Sequence, residues 1–104
     1  MKDIFDLSGI NDFSKEIFET LFQNENVKIE RIVSSGQITP EGEWYDSPQN
    51  EWIVLVQGEA ELTFADGEVQ KLQKGAFIAI SAHRKHRVTY TSTNPKAIWL
   101  AVHF

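Results

Sequence analysis

Glu51-Trp52-Ile53-Val54-Leu55-Val56-Gln57-Gly58 is the stretch on which the fold turns. Its five central residues are apolar, rich in β-branched and aromatic types, and a glycine stops them. A run this short is below helical length and reads as a strand covered on both faces. Strand parity puts Glu51, Ile53 and Leu55 on one face and Trp52, Val54 and Val56 on the other. Downstream, Glu59 to Ala65 and Glu68 to Leu72 flank Asp66-Gly67, a pair that predicts a hairpin with both turn residues at positive φ. Lys74-Gly75 turns the chain into Ala76–Ile80, His86 to Thr91 forms a further strand, and Asn94-Pro95 precedes a closing strand, Ala97 to Phe104. Upstream, Val27, Ile29, Arg31 and Val33 alternate with Lys28, Glu30, Ile32 and Ser34, as in a partly buried strand. Many short strands with frequent turns predict an all-β sandwich or barrel over residues 27–104.

Residues 1–26 read differently. Between Asp12 and Phe22, the apolar residues Phe13, Ile17, Phe18, Leu21 and Phe22 fall on one helical face, with Lys15, Glu16 and Glu19 opposite. Asn11 or Asp12 can cap the start. A short amphipathic N-terminal helix covering the β structure is therefore expected.

At 104 residues the chain fits a single domain, 1–104, and 41% hydrophobic content suffices for its core. There are no cysteines, which removes disulfides, thiolate metal sites and cysteine nucleophiles. The net charge of −5 argues against nucleic acid as a partner, because phosphate binding is cation-driven. No apolar run nears the roughly 20 residues that span a bilayer, and Asp3 and Asp6 interrupt any secretory leader. A cytoplasmic protein without membrane contact is expected. No phosphate-binding glycine loop and no nucleophile elbow occur.

With the packing and solvating residues set aside, Asp46, Glu51, His83, His86 and His103 remain as groups able to carry chemistry. Glu51 opens the most apolar strand and, if Ile53 and Leu55 face inward, so does its carboxylate. A buried carboxylate must be hydrogen-bonded, paired, protonated or metal-bound. His86 begins a strand three residues after His83, and imidazole with carboxylate is a competent ligand set for zinc, iron, nickel or manganese. Trp44 and Tyr45 offer aromatic surface beside these groups. The basic run His83-Arg84-Lys85-His86-Arg87 reads either as an anion contact or as a solvated turn.

The order of these residues resembles the cupin superfamily, in the form of a small single-domain cupin. Glu51 followed by an apolar strand and Gly58 resembles the end of the first cupin motif. Gly75, the strand Phe77–Ile80 and the later His86 resemble the second motif. The resemblance implies a double-stranded β-helix, or jelly-roll barrel, over about Val27 to Phe104. It aligns Glu51 and His86 with metal-ligand positions, and Asp46 could supply a third ligand. It departs from the family in the first motif, where Trp44 and Asp46, or Tyr45 and Ser47, stand in place of two histidines. In the second motif Ser81 replaces proline, His83 glycine and Tyr90 asparagine.

The resemblance implies a barrel that binds a small polar molecule, with one divalent metal (Zn, Fe, Ni or Mn) on Asp46, Glu51 and His86 supporting oxygenase- or isomerase-type chemistry. Trp44, Tyr45, His83, Tyr90 and His103 are the expected pocket residues. Two alternatives stand beside this reading: a metal-free small-molecule binding or sensing module, and an interaction protein whose apolar sheet faces serve assembly. The closing strand, apolar on both faces, makes a homodimer the expected assembly. Neither substrate nor reaction can be read from the sequence.

Overall fold

A computed structural model of the chain describes residues 2–104. Eight strands follow one another: β1 (Ile17–Gln23), β2 (Lys28–Ser34), β3 (Glu51–Gln57), β4 (Ala60–Phe64), β5 (Val69–Leu72), β6 (Phe77–Ile80), β7 (His86–Thr91) and β8 (Ala97–His103). They form a five-stranded sheet in the order β1-β2-β8-β3-β6 and a three-stranded sheet in the order β5-β4-β7. Every adjacent pair is antiparallel. Among the described residues no helix is long and apolar enough to cross a membrane.

The core lies between the sheets. Ile53 and Leu55 of β3, Leu62 and Phe64 of β4, Ile80 of β6 and Trp99 of β8 are all buried in one cluster. Leu55, Leu62 and Phe64 are at most 1% exposed, and burial of each such side chain contributes about 1.5–3 kcal/mol. The decisive stretch behaves as its parity requires, with Ile53 and Leu55 inside and Trp52, Val54 and Val56 only half-buried.

The expected N-terminal helix does not form, and the second half of the segment assigned to it supplies β1. Asp12 Oδ1 accepts a hydrogen bond from the Ser14 amide, as a cap would, yet only a turn follows. Beyond it, Ile17–Gln23 pairs with β2, with a bulge between Thr20 and Phe22. An isolated helix of this length is marginal, whereas Ile17, Phe18, Thr20 and Phe22 suit a strand and the β2 edge offers a full set of backbone partners. The segment before β1 instead crosses the outer face of the large sheet. There the buried Arg31 donates to the Ile4 and Asp6 carbonyl oxygens and pairs with Glu19 at 2.6 Å.

The Asp66-Gly67 hairpin forms, but only Gly67 takes a positive φ, of 96°. Its amide donates to the Phe64 carbonyl, and the Phe64 amide donates to Glu68, so Gly67 occupies the left-handed bulge position after an ordinary turn. Gly58 is the glycine most tightly enclosed. At φ 85° it lies so close to its neighbours that an added Cβ would sit 2.6 Å from Ser92 Oγ and 2.8 Å from the Lys96 carbonyl oxygen.

Between β2 and β3 the chain runs along β7. Thr39 donates its amide to the Val88 carbonyl, and Tyr45 and His86 exchange both backbone hydrogen bonds. This bridge carries Tyr45, Asp46 and Ser47 to the open end of the space between the sheets.

Candidate functional site

Strand register builds the site. In the large sheet Glu51 of β3 lies directly opposite His103 of β8, and β8 in turn pairs with β2, which carries Glu30. The three side chains stand in a row on the inner face. His86 faces them from β7 of the other sheet. His103 Nε2 donates to Glu30 Oε1 at 2.8 Å, and His103 Nδ1 lies 3.3 Å from Glu51 Oε2. Glu51 Oε1 is 3.8 Å from His86 Nε2, too far for a hydrogen bond. A line of four polar side chains thus crosses from one sheet to the other.

The proton positions follow from the partners. His86 Nδ1 contacts the Arg84 carbonyl oxygen at 2.9 Å, and a carbonyl only accepts, so Nδ1 carries the hydrogen. The neutral ring then presents Nε2 as a lone pair. His103 faces a carboxylate at each nitrogen. Its contact with Glu30 is a hydrogen bond, and the one with Glu51 is a close approach at ion-pair distance outside hydrogen-bond geometry.

A cavity of about 200 Å³ opens beside this line. Ile32, Ile53, Leu62, Val88 and Trp99 form its apolar wall, and Phe18 and Tyr45 stand among its aromatic lining. The Tyr45 and His86 rings stack with centroids 5.7 Å apart, and the Phe64 ring packs on the imidazole at 5.9 Å. Four carboxylates (Glu16, Glu30, Asp46 and Glu51) line the cavity, and no lysine or arginine does.

Burial pushes the Glu51 carboxyl above the ordinary carboxylate range; His103 and His86 pull it down and Glu30 pushes it up, and burial prevails. Glu16, which accepts a hydrogen bond from Ser34 Oγ at 2.6 Å, is likewise held high by burial. The Tyr45 hydroxyl is raised first by burial and then by Glu16. Burial is the first cause of all three shifts.

Asp46, Glu51 and His86 all line this one cavity, as do Tyr45 and His103. Asp46, however, is turned toward His83, with Oδ1 2.9 Å from His83 Nδ1. His83 itself is exposed and sits outside the cavity in the left-handed region at φ 63°. It stands where the family pattern has glycine, and the contacts to Asp46 and the Ser47 carbonyl hold it there. Trp44 is exposed, with the Arg87 guanidinium 5.9 Å from its ring. Tyr90 is also exposed and borders a separate shallow groove with Gln57, Gly58 and Ser92. Arg84 and Arg87 of the basic run point elsewhere, Arg84 to Asp66 and Glu68 and Arg87 to the Thr39 carbonyl.

Glu16 and Glu30 are cavity residues that sequence reasoning missed. Glu30 is 7% exposed and its neighbour Arg31 8%, so two adjacent charged residues on one strand are both buried. Parity alone cannot choose between them. A signal was available in Glu30, Ile32 and Ser34, the set opposite to Val33.

The fold-family resemblance implies a divalent metal, and the donors can be tested against it. Among the described residues no three His, Cys, Asp or Glu side chains are grouped to hold one ion. His103 commits both ring nitrogens to carboxylates, and Asp46 faces His83. Glu51 and His86 remain, two donors where open metal sites usually keep three protein ligands. The donor set does not fit a resident metal.

Comparison with known proteins gives a consistent picture of the fold. No curated protein sequence matches the chain. Among solved structures, a Ralstonia eutropha JMP134 protein provisionally named a mannose-6-phosphate isomerase is 38% identical. It has a TM-score of 0.90, and the alignment covers 99% of this chain and 95% of that one. A cupin superfamily protein from Desulfitobacterium hafniense DCB-2 has 18% identity and a TM-score of 0.77, over 90% of this chain and 81% of that one. An RmlC-like cupin family protein with a double-stranded β-helix fold from Methanocaldococcus jannaschii has 21% identity and a TM-score of 0.70, over 86% and 79%. The family model for the cupin domain matches residues 32–103, from the middle of β2 to the end of β8. With the strand order, the two sheets and the cavity between them in agreement with that match, the chain belongs to the cupin domain family.

Proposed function

We propose that the cavity is a metal-independent binding site for one small molecule, whose polar group meets Glu51 and His86 and whose body lies against the apolar wall. The observation that carries this is the pair Glu51 Oε1 and His86 Nε2. They face each other at 3.8 Å without a hydrogen bond, at the edge of an otherwise largely apolar space. A polar group seated between them would complete both. By proportion with a 150 Å³ apolar cavity that accepts benzene, 200 Å³ suits a molecule of about eight non-hydrogen atoms.

The same pair supports acid–base chemistry on the bound molecule. Glu51 is raised by burial and has an imidazole on either side, so a proton can pass between it and a bound molecule. A proton shift between neighbouring atoms, which is isomerase-type chemistry, needs no more than such a group. The isomerase name of the 38%-identical Ralstonia protein is in keeping with that reaction type.

The test is a ligand screen by thermal shift on chelator-treated protein, repeated with Glu51→Gln and His86→Ala. Compounds that raise the melting temperature of the wild type but of neither variant are the expected result. Hits that appear only after metal is added, together with about one retained metal per chain that both variants lose, would replace this reading with a metal-dependent one.

A further inference from the structure

Two atoms that face each other across the cavity without a hydrogen bond are both acceptors. Glu51 Oε1 is a carboxylate oxygen, and His86 Nε2 is a lone pair in the neutral ring, whose one hydrogen is held on the Arg84 carbonyl. A ligand that completes them must therefore donate. Fixed charge narrows the choice further. Four carboxylates line the cavity and no guanidinium or amine does. The cation nearest to them is Lys28, whose Nζ reaches Glu30 Oε2 at 3.7 Å from the half-exposed side. Even with His103 as an imidazolium between Glu30 and Glu51, the lining carries more negative charge than positive.

We infer that the cavity selects a small organic cation, an ammonium group on a compact apolar body, and rejects phosphorylated or carboxylated molecules. This rests on the binding reading above. An ammonium offers several N–H donors, so one nitrogen placed roughly 2.8–3.0 Å from each acceptor bridges Glu51 and His86. The aromatic lining suits the remaining face of a cation, with Tyr45 fixed in place by its stack on His86. A hexose phosphate fails on charge, because its dianion would meet four carboxylates with no lysine or arginine to receive it. The substrate suggested by the Ralstonia protein's name therefore does not transfer to this chain, although its reaction type can.

Three probes sharing one carbon frame test the inference: 3-methylbutylamine, 3-methylbutan-1-ol and 3-methylbutanoate. Each is titrated at pH 8 and low salt while the backbone amide signals of cavity residues are followed by NMR. The amine is expected to bind about tenfold more tightly than the alcohol, as a charge-assisted hydrogen bond exceeds a neutral one, and the carboxylate most weakly. Glu51→Gln should weaken both the amine and the alcohol and remove the amine's advantage over it. Equal binding of amine and alcohol, or tightest binding of the carboxylate, overturns the charge selectivity while leaving a binding cavity. No shift of cavity signals with any probe at tens of millimolar overturns the binding reading itself. Glu16→Gln, which alters cavity charge without touching the two acceptors, guards against a folding defect in Glu51→Gln and should weaken the amine selectively.

Discussion

Removing the His103 side chain and then neutralising Glu30 gives the sharpest test of whether the polar line acts as a unit. In the native arrangement His103 separates two buried carboxylates, Glu30 and Glu51, whose side chains are 10% and 17% exposed. In His103→Ala they face one another with nothing between. The contacts of 2.8 and 3.3 Å on either side of the ring place the two carboxylates no more than about 8 Å apart, so at an effective dielectric of ~20 their repulsion is about 2 kcal/mol. The lost hydrogen bonds and packing add to this, and breaking a buried pair by deleting one partner costs about 3–5 kcal/mol in all. Glu30→Gln alone should also destabilise, because it takes the charge partner from His103. In the His103→Ala background the same change should be neutral or stabilising, since it removes the repulsion. Urea unfolding of the four proteins at pH 7.5 supplies the cycle. A coupling energy of about 1.5–3 kcal/mol, with reversal of sign for Glu30→Gln, is expected. Additivity within about 0.5 kcal/mol would refute the claim that these residues are energetically linked.

Two further outcomes follow from the structure. Burial raises the Glu16 carboxyl, so the folded state holds its proton more tightly than the unfolded state; the contribution of Glu16 to stability therefore falls as pH rises from about 4.5 through the raised value. Glu16→Gln keeps an oxygen acceptor for Ser34 and should melt higher than the wild type at pH 7–8, with the gain fading toward pH 4; a gain independent of pH would exclude this cause. Gly58→Ala should cost about 2–4 kcal/mol in chemical denaturation, from left-handed strain plus the clash of its Cβ with Ser92 and the Lys96 carbonyl. A cost under about 1 kcal/mol would mean that the β8 approach is softer than drawn.

The large sheet was legible because its central strands obey parity without conflict. Trp52–Val56 is too short for a helix, and Ile53 and Leu55 fall inside together. The same parity led from Ile53 to Glu51, and His86 was marked by opening a strand three residues after His83, which is how two members of the polar line were found. Residues 12–22 were misread because five apolar residues in eleven can satisfy a helical face and still serve as a strand. What decided between them was the open edge of β2, a tertiary fact. Tyr90 was misplaced for a similar reason. The β4–β7 register slips between Glu61 and Leu62, so the parity running from His86 through Val88 does not hold to Tyr90. Glu30 and Glu16 escaped notice because burial of an acid shows only once its partners are known, and those partners, His103 and Ser34, lie 73 and 18 residues away.

The energetic cost of this interior argues that it is there for a ligand. A domain of this size has a net stability of about 5–15 kcal/mol. Against that stand Glu51 and Glu16, both raised by burial, and a row of charged groups on the inner face of the central strands. Replacing buried ionic clusters by apolar residues of similar volume is often neutral or stabilising by ~1–4 kcal/mol. Packing would therefore be served as well by leucine or valine at these positions, as it is at Leu62 and Val88 across the cavity. What apolar residues cannot supply is a pair of unsatisfied acceptors held 3.8 Å apart and fixed from behind. His103 fixes one of them and the Arg84 carbonyl the other. Groups that are costly to bury, each held in place by a neighbouring polar group, are the arrangement a preorganised binding site requires and a filled core does not.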